Sequence, residues 1–126
     1  MQTEKVIDYI VNWLKDYATK AGVKGYVIGV SGGVDSGVVS TLCAMTGLKV
    51  LALEMPIRQQ KDQASRALEH IDFLKNKFPN VEGFTVDLNE PFEALYKTFD
   101  VKDDEFPAEK LAFANTRSRL RMLTLY

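Results

Sequence analysis

The chain has very little of the two side chains that carry most chemistry at neutral pH: one cysteine and one histidine in 126 residues. A lone Cys43 cannot close an internal disulfide. A lone His70 leaves no Cys/His set for zinc and none for a histidine-assisted nucleophile. Any metal chemistry must therefore use oxygen ligands. Excess charge of one sign is also missing: 16 Lys and Arg oppose 17 Asp and Glu, a net charge of -1. With no basic field to hold a nucleic-acid backbone, nucleic acid is not expected as a partner. No apolar run approaches the roughly 20 residues of a membrane span, so no membrane association is expected either. The opening Met1-Gln2-Thr3-Glu4-Lys5 lacks the apolar core of a signal peptide. A reducing cytoplasm is the expected compartment. What remains is ordinary, with 46% hydrophobic and 26% charged residues. That balance suits a folded globular chain, and the length suits a single domain over residues 1–126.

Helical and strand periods alternate. Thr3 can cap a helix whose apolar positions Val6, Ile7, Ile10, Val11, Leu14, Tyr17, Ala18 and Ala21 recur at three and four, with Gly22 closing it. Tyr26 to Val30 is a short apolar run of the kind that suits a strand buried on both faces. A helix from Ser36 to Thr46, marked by Val38, Val39, Leu42 and Cys43, stops at Gly47. Val50 to Met55 reads as a second strand ended by Pro56, and Ala64, Ala67, Leu68, Ile71 and Leu74 mark the helix after it. Val81 to Leu88 reads as a third strand, interrupted by Glu82 and Gly83. Pro91 to Phe99 reads as a short helix, Lys102 to Pro107 as an acidic loop, and Ala108 to Tyr126 as a last helix with Leu111, Phe113, Leu120 and Leu123 at helical spacing. This order predicts an α/β fold, a doubly wound parallel sheet with helices on both faces and its ligands beyond the carboxyl ends of the strands. The last helix has no stop signal at Tyr126, so the domain is expected to be incomplete at its carboxyl end.

The segment Gly29-Val30-Ser31-Gly32-Gly33-Val34-Asp35-Ser36 follows a strand and opens a helix, so its amides converge where a helix N-terminus favours an anion. Glycines let the backbone approach phosphate oxygens, and Ser31 and Ser36 can add hydroxyl donors. The string is not a Walker A loop, because no lysine precedes Ser36. Nor is it a dinucleotide fingerprint, because Gly29, Gly32 and Gly33 have the wrong spacing. A carboxylate at Asp35 would repel a polyphosphate unless a divalent cation lay between them, which implies magnesium with Asp35 as its ligand. The competing reading is a plain Gly-Gly turn capped by Asp35 and Ser36.

Ser31-Gly32-Gly33-Val34-Asp35-Ser36 resembles the pyrophosphate-binding loop of the N-type ATP pyrophosphatases, whose fold is adenine nucleotide α-hydrolase-like. Met55-Pro56 with Gln60, Asp62 and Ala64 resembles the corresponding strand end and helix of the NAD synthetase branch. Asn115-Thr116-Arg117-Ser118-Arg119-Leu120-Arg121-Met122 is similar to that branch's Asn-x-x-Ala-Arg-x-Arg-Met helix, with Ser118 in place of the usual Ala. The resemblance implies ammonia-dependent amidation of deamido-NAD with ATP, through an adenylate, by the amino-terminal half of such an enzyme. It further implies ATP at Gly29, Val30, Ser31, Gly32, Gly33, Val34, Asp35, Ser36 and Met55, with Asp35 and Ser36 as the catalytic pair. Arg119, with Asn115 on the same helix face, would bind deamido-NAD, and the family is dimeric, which implies a homodimer. The first helix begins almost at Met1, so no glutaminase domain is expected ahead of it and free ammonia is the expected nitrogen source. Another pyrophosphatase core, such as a GMP synthetase or a tRNA-modifying enzyme, and a nucleotide-binding module without turnover share the loop and stay open as alternatives.

The remaining candidates have plainer readings. Glu54 at a strand end suits either a ribose grip or an ordinary carboxylate. His70 reads as a solvated or half-buried imidazole, and Cys43 as core filling. Arg117 and Arg121 read chiefly as a solvated helix face, and Met45, Met122 and Tyr126 as packing.

Overall fold

A computed structural model describes residues 2–57, 61–98 and 107–126, with the backbone alone over 107–114. The elements run α1 (Thr3–Ala21), β1 (Gly25–Gly29), α2 (Val34–Met45), β2 (Lys49–Glu54), α3 (Lys61–Lys77), β3 (Val81–Thr85), α4 (Asn89–Thr98) and α5 (Pro107–Leu125). Gln60, Phe99 and the acidic segment 101–106 lie outside the described residues.

The helix periods predicted from sequence are all present, with small differences at the ends. Gly22 closes α1 at φ 72°, but Gln2 occupies the N-cap without a side-chain bond, and Thr3 is already helical. Two strands extend in effect beyond their ladders. Val30 N–H donates to Leu53 O at 2.8 Å, Val86 N–H to Glu54 O at 2.8 Å and Leu88 N–H to Pro56 O at 3.1 Å. The apolar runs to Val30 and Leu88 therefore mark chain that is still bonded to its neighbour after the strands end.

The sheet is parallel in the order β1-β2-β3, with Gly29 opposite Leu53 and Glu54 opposite Thr85 at the carboxyl edge. Alternation along β2 feeds two cores. Val50 and Ala52 pack with Cys43 and Ala44 of α2 and with Ala67, Ile71 and Leu74 of α3. Leu53 and Met55 pack on the other face with Ile57, Leu88 and Phe92, flanked by Leu120 and Leu125 of α5. Helices thus cover both faces, as a doubly wound fold requires. Burial of a side chain such as Phe92, 1% exposed, contributes about 1.5–3 kcal/mol.

Three expectations change. Among the described residues β1 has a neighbour on one side only, so it is half-buried rather than buried on both faces, and Val27 is 45% exposed. In α2 the inward face is Ser40, Cys43 and Ala44, while Val38 and Val39 are exposed. Small residues let α2 approach the sheet, which leaves the larger valines outside. At the end of α5, Leu120 and Leu125 pack inward, whereas Met122, Leu123 and Tyr126 are exposed, as is Met45 on α2.

Candidate functional site

All three strands point their carboxyl ends at one edge, and the Ser31–Gly33 loop crosses it from β1 to α2. Gly33 is the N-cap of α2 and has no side chain to satisfy the first-turn amides. The N–H groups of Val34, Asp35 and Ser36 therefore form the positive end of the helix without a local cap. The loop behind them is held by a ring of hydrogen bonds. Ser31 N–H donates to Ser36 Oγ at 3.1 Å and Gly33 N–H to Ser31 Oγ at 3.3 Å. Ser36 Oγ donates to Gly33 O at 3.3 Å, which leaves the Ser31 hydroxyl as the donor across the 3.2 Å gap to Ser36 Oγ. The two hydroxyls read from sequence as ligand donors are thus also the braces of the loop.

Gly32 has φ 87°, and a Cβ on it would stand 2.5 Å from Gln63 O and 3.3 Å from Arg66 Cβ on α3. No other residue fits that turn. Gly32→Ala combines left-handed backbone strain with overpacking, so it should destabilise the chain by about 1–3 kcal/mol. Differential scanning calorimetry should show a lowered midpoint, and the loop amide resonances should move.

Among the described residues, two cavities flank the loop. The smaller, about 370 Å³, is lined by Gly29, Val30, Ser31 and Met55 from the sheet edge and by Ser118, Arg121, Met122 and Leu125 of α5. The larger, about 590 Å³, is lined by Gly32, Gly33, Val34, Gly37, Arg66 and His70, with Ile7 and Ile10 of α1 at its apolar end. The sequence-predicted residues Gly29 to Ser36 and Met55 therefore come together at one edge. Val30 and Met55 are buried, while Val34 and Asp35 are exposed.

The arginines sort differently from the sequence reading. Arg121 is not on a solvated face. It is half-buried, lines the smaller cavity and donates Nε–H to Met55 O at 3.0 Å. Burial first, then the charge of Arg117, holds the pKa of its guanidinium below the ordinary value. Asn115 and Arg119 are exposed and line neither cavity. The sequence groups Ser118, Arg121, Met122 and Leu125 on one helix face, three and four apart, but that this face meets the sheet edge at Met55 is seen only in the structure.

Asp35 is the carboxylate of the loop, and the described residues contain no group of three or more His, Cys, Asp or Glu that could hold a metal by themselves. Glu54 is 3% exposed and accepts a bond from Thr85 Oγ1 at 3.1 Å, the ordinary strand-end role rather than a ribose grip. Burial raises the Cys43 thiol pKa, so it is core filling and poorly nucleophilic. Among the described residues no helix is long and apolar enough to cross a membrane.

The fold and site define an α/β class in which a serine- and glycine-rich loop opens a helix at the carboxyl edge of a parallel sheet. Within that class the chain belongs to the NAD synthase family, whose family model matches residues 6–126. It is 37% identical over 127 residues to an NH3-dependent NAD+ synthetase of Mesoplasma florum, covering all of this chain and 49% of that protein. It is 35% identical to the NH3-dependent NAD+ synthetase of Finegoldia magna, covering 48% of it. Among solved structures, NMN synthetase from Francisella tularensis matches with a TM-score of 0.83 at 33% identity, over all of this chain and 49% of that one. NH3-dependent NAD synthetase from Campylobacter jejuni matches with a TM-score of 0.81 at 27% identity, over 51% of that chain. The chain spans about half the length of the relatives it matches.

Proposed function

We propose that this chain supplies the nucleotide half of an amide-forming ligase that turns deamido-NAD, ATP and ammonia into NAD, AMP and pyrophosphate. The observation that carries this reading is the side-chain-free N-cap at Gly33, set among the Ser31 and Ser36 hydroxyls at the sheet edge. In this reading the pyrophosphate of ATP lies against the first-turn amides of α2, and the α-phosphate faces the smaller cavity beside Met55 and Arg121. The deamido-NAD carboxylate adds to the α-phosphate as pyrophosphate leaves, and ammonia then displaces AMP from the acyl carbon. The chain's own work is electrostatic and positional: amide, hydroxyl and guanidinium donors stabilise negative charge as it grows on the leaving group. A single exposed carboxylate such as Asp35 fits magnesium, which commonly takes one or two carboxylates and completes its shell with phosphate oxygens and water. Bound there, the ion would neutralise phosphate charge. Ser36 would act through its hydroxyl on the same oxygens. A cytoplasmic homodimer completes the proposal, in line with the resemblance read from the sequence.

The Francisella tularensis likeness favours one second reading, in which the acid precursor of NMN replaces deamido-NAD on the same loop. Both readings are tested with the chain in a preparation that also supplies the other half of the relatives' length. Deamido-NAD-dependent AMP formation with ammonia is the expected result. Preference for the mononucleotide acid selects the second reading, and AMP release dependent on neither acid overturns both.

The arginines give a finer test. Arg119→Ala should weaken deamido-NAD far more than ATP, and Arg121→Ala should weaken ATP more, each by about ten- to a hundredfold, as expected for a charge-assisted bond. Calorimetry showing equal losses for the two ligands in each variant would remove both assignments.

A further inference from the structure

Outside the loop, the contact between a buried serine and the half-buried His70 is absorbed by none of the roles above. Ser40 is 0% exposed in the middle of α2, and its Oγ lies 2.9 Å from His70 Nε2 on α3. The direction of that bond follows from proton counting. Ser40 Oγ donates to Ser36 O at 2.6 Å, with Gly37 O a longer alternative at 3.1 Å. A hydroxyl has one proton, so Ser40 can only accept from the ring, and His70 carries a proton on Nε2.

The bond within α2 is the ordinary back-bond of a helical serine. It leaves the lone pairs of a buried oxygen in need of a donor, and a different element supplies it. The ring is also fixed in place. One edge lies over Gly37, where a Cβ would stand 3.9 Å from Cε1, and on α3 the ring stacks with Phe73 at a centroid distance of 6.0 Å.

This pair touches the same residue that organises the loop. Ser40 holds the carbonyl of Ser36, and the hydroxyl of Ser36 holds Ser31 N–H. Upstream on the same face of α3, Gln63 and Arg66 lie against Gly32. Gln63, Arg66 and His70 are spaced three and four, so one helix face meets the loop at its glycine turn and again at the first turn of α2.

We propose that His70, acting through Ser40, is a positioning residue that fixes the first turn of α2 and the Ser31–Ser36 loop relative to α3, so that its donors are set before a phosphate arrives. The proposal rests on the reading of that loop as a pyrophosphate site, and it makes no claim that His70 touches the ligand. Removing the ring donor leaves Ser40 with an unmatched buried oxygen and breaks the hydrogen bond that ties α2 to α3, which should weaken a ligand that needs several donors at once.

Two measurements test it, both in the two-part preparation described above with the isotope label confined to this chain. Because His70 is the single histidine, long-range proton–nitrogen spectra report its tautomer without ambiguity. They should place a proton on Nε2 and change on Ser40→Ala. A neutral ring with its proton on Nδ1 overturns the proposal. Calorimetric titration with magnesium pyrophosphate should then show binding about tenfold weaker in His70→Leu. His70→Gln, which keeps an N–H donor at similar reach, should recover to within about threefold of the original. Equal affinity in all three proteins, or no recovery with glutamine, overturns the positioning role. If the unsubstituted chain binds no magnesium pyrophosphate, the loop reading fails instead. The brace is then judged by the tautomer and by amide exchange at Ser36 and Gly37, which should quicken in His70→Leu and be restored in His70→Gln.

Discussion

Asp35→Asn is expected to leave the fold as it is and to cut magnesium-dependent pyrophosphate release by a hundredfold or more, on the order of losing one strong electrostatic contact to the reacting phosphates. The side chain is exposed on the first turn of α2, so the substitution removes charge without opening a cavity. One stabilising term is lost as well, because an acidic residue in the first turn of a helix interacts favourably with its dipole, by about 0.3–1 kcal/mol. A small drop in unfolding midpoint with a large drop in turnover is therefore the expected pair of results, read by calorimetry and by a pyrophosphate assay in the same two-part preparation. Normal magnesium-dependent release by the asparagine variant would show that Asp35 is only a helix-end charge.

The second large effect concerns β1. Its outer backbone edge is unpaired among the described residues, and Val27 on it is half exposed. An apolar free edge is a template for pairing with another chain. A preparation of these 126 residues alone is expected to self-associate at micromolar concentration, as sedimentation velocity would show. Val27→Lys should shift it toward monomer, because a charge on an edge strand opposes strand-to-strand pairing. Adding the other half of the relatives' length should do the same and bring turnover with it. A monodisperse monomer that forms NAD unaided would contradict both the edge prediction and the two-part reading of the site.

Local pattern carried the fold a long way. The three-and-four recurrence from Val6 to Ala21 and the apolar runs at Tyr26 and Val50 correspond to α1, β1 and β2 within a residue or two, because period and turn chemistry are local properties of a chain. Exposure was less legible. Val38 and Val39 looked like an inward face, yet Ser40, Cys43 and Ala44 are the buried side of α2. Hydrophobicity alone cannot say that a helix packs close enough to need small residues. The loop was legible because its six residues are contiguous. The Ser40–His70 bond joins residues 30 apart, and the Arg121–Met55 bond joins residues 66 apart. Such pairs leave no periodic trace, so they emerge only when the elements are placed beside one another.

The ring of bonds between Ser31, Gly33 and Ser36 also bears on selectivity. A phosphate that reaches the Ser31 and Gly33 amides must displace two hydroxyl acceptors already bonded there, so each contact is an exchange with little net gain. A compact anion such as chloride can accept only from donors that converge on one point. A polyphosphate has oxygens enough to take both amides and to accept from the two hydroxyls once they are released, so donors that served the protein turn outward together. The serine pair thus sets a threshold that favours ligands with many oxygens over simple anions, before any metal ion or second substrate contributes.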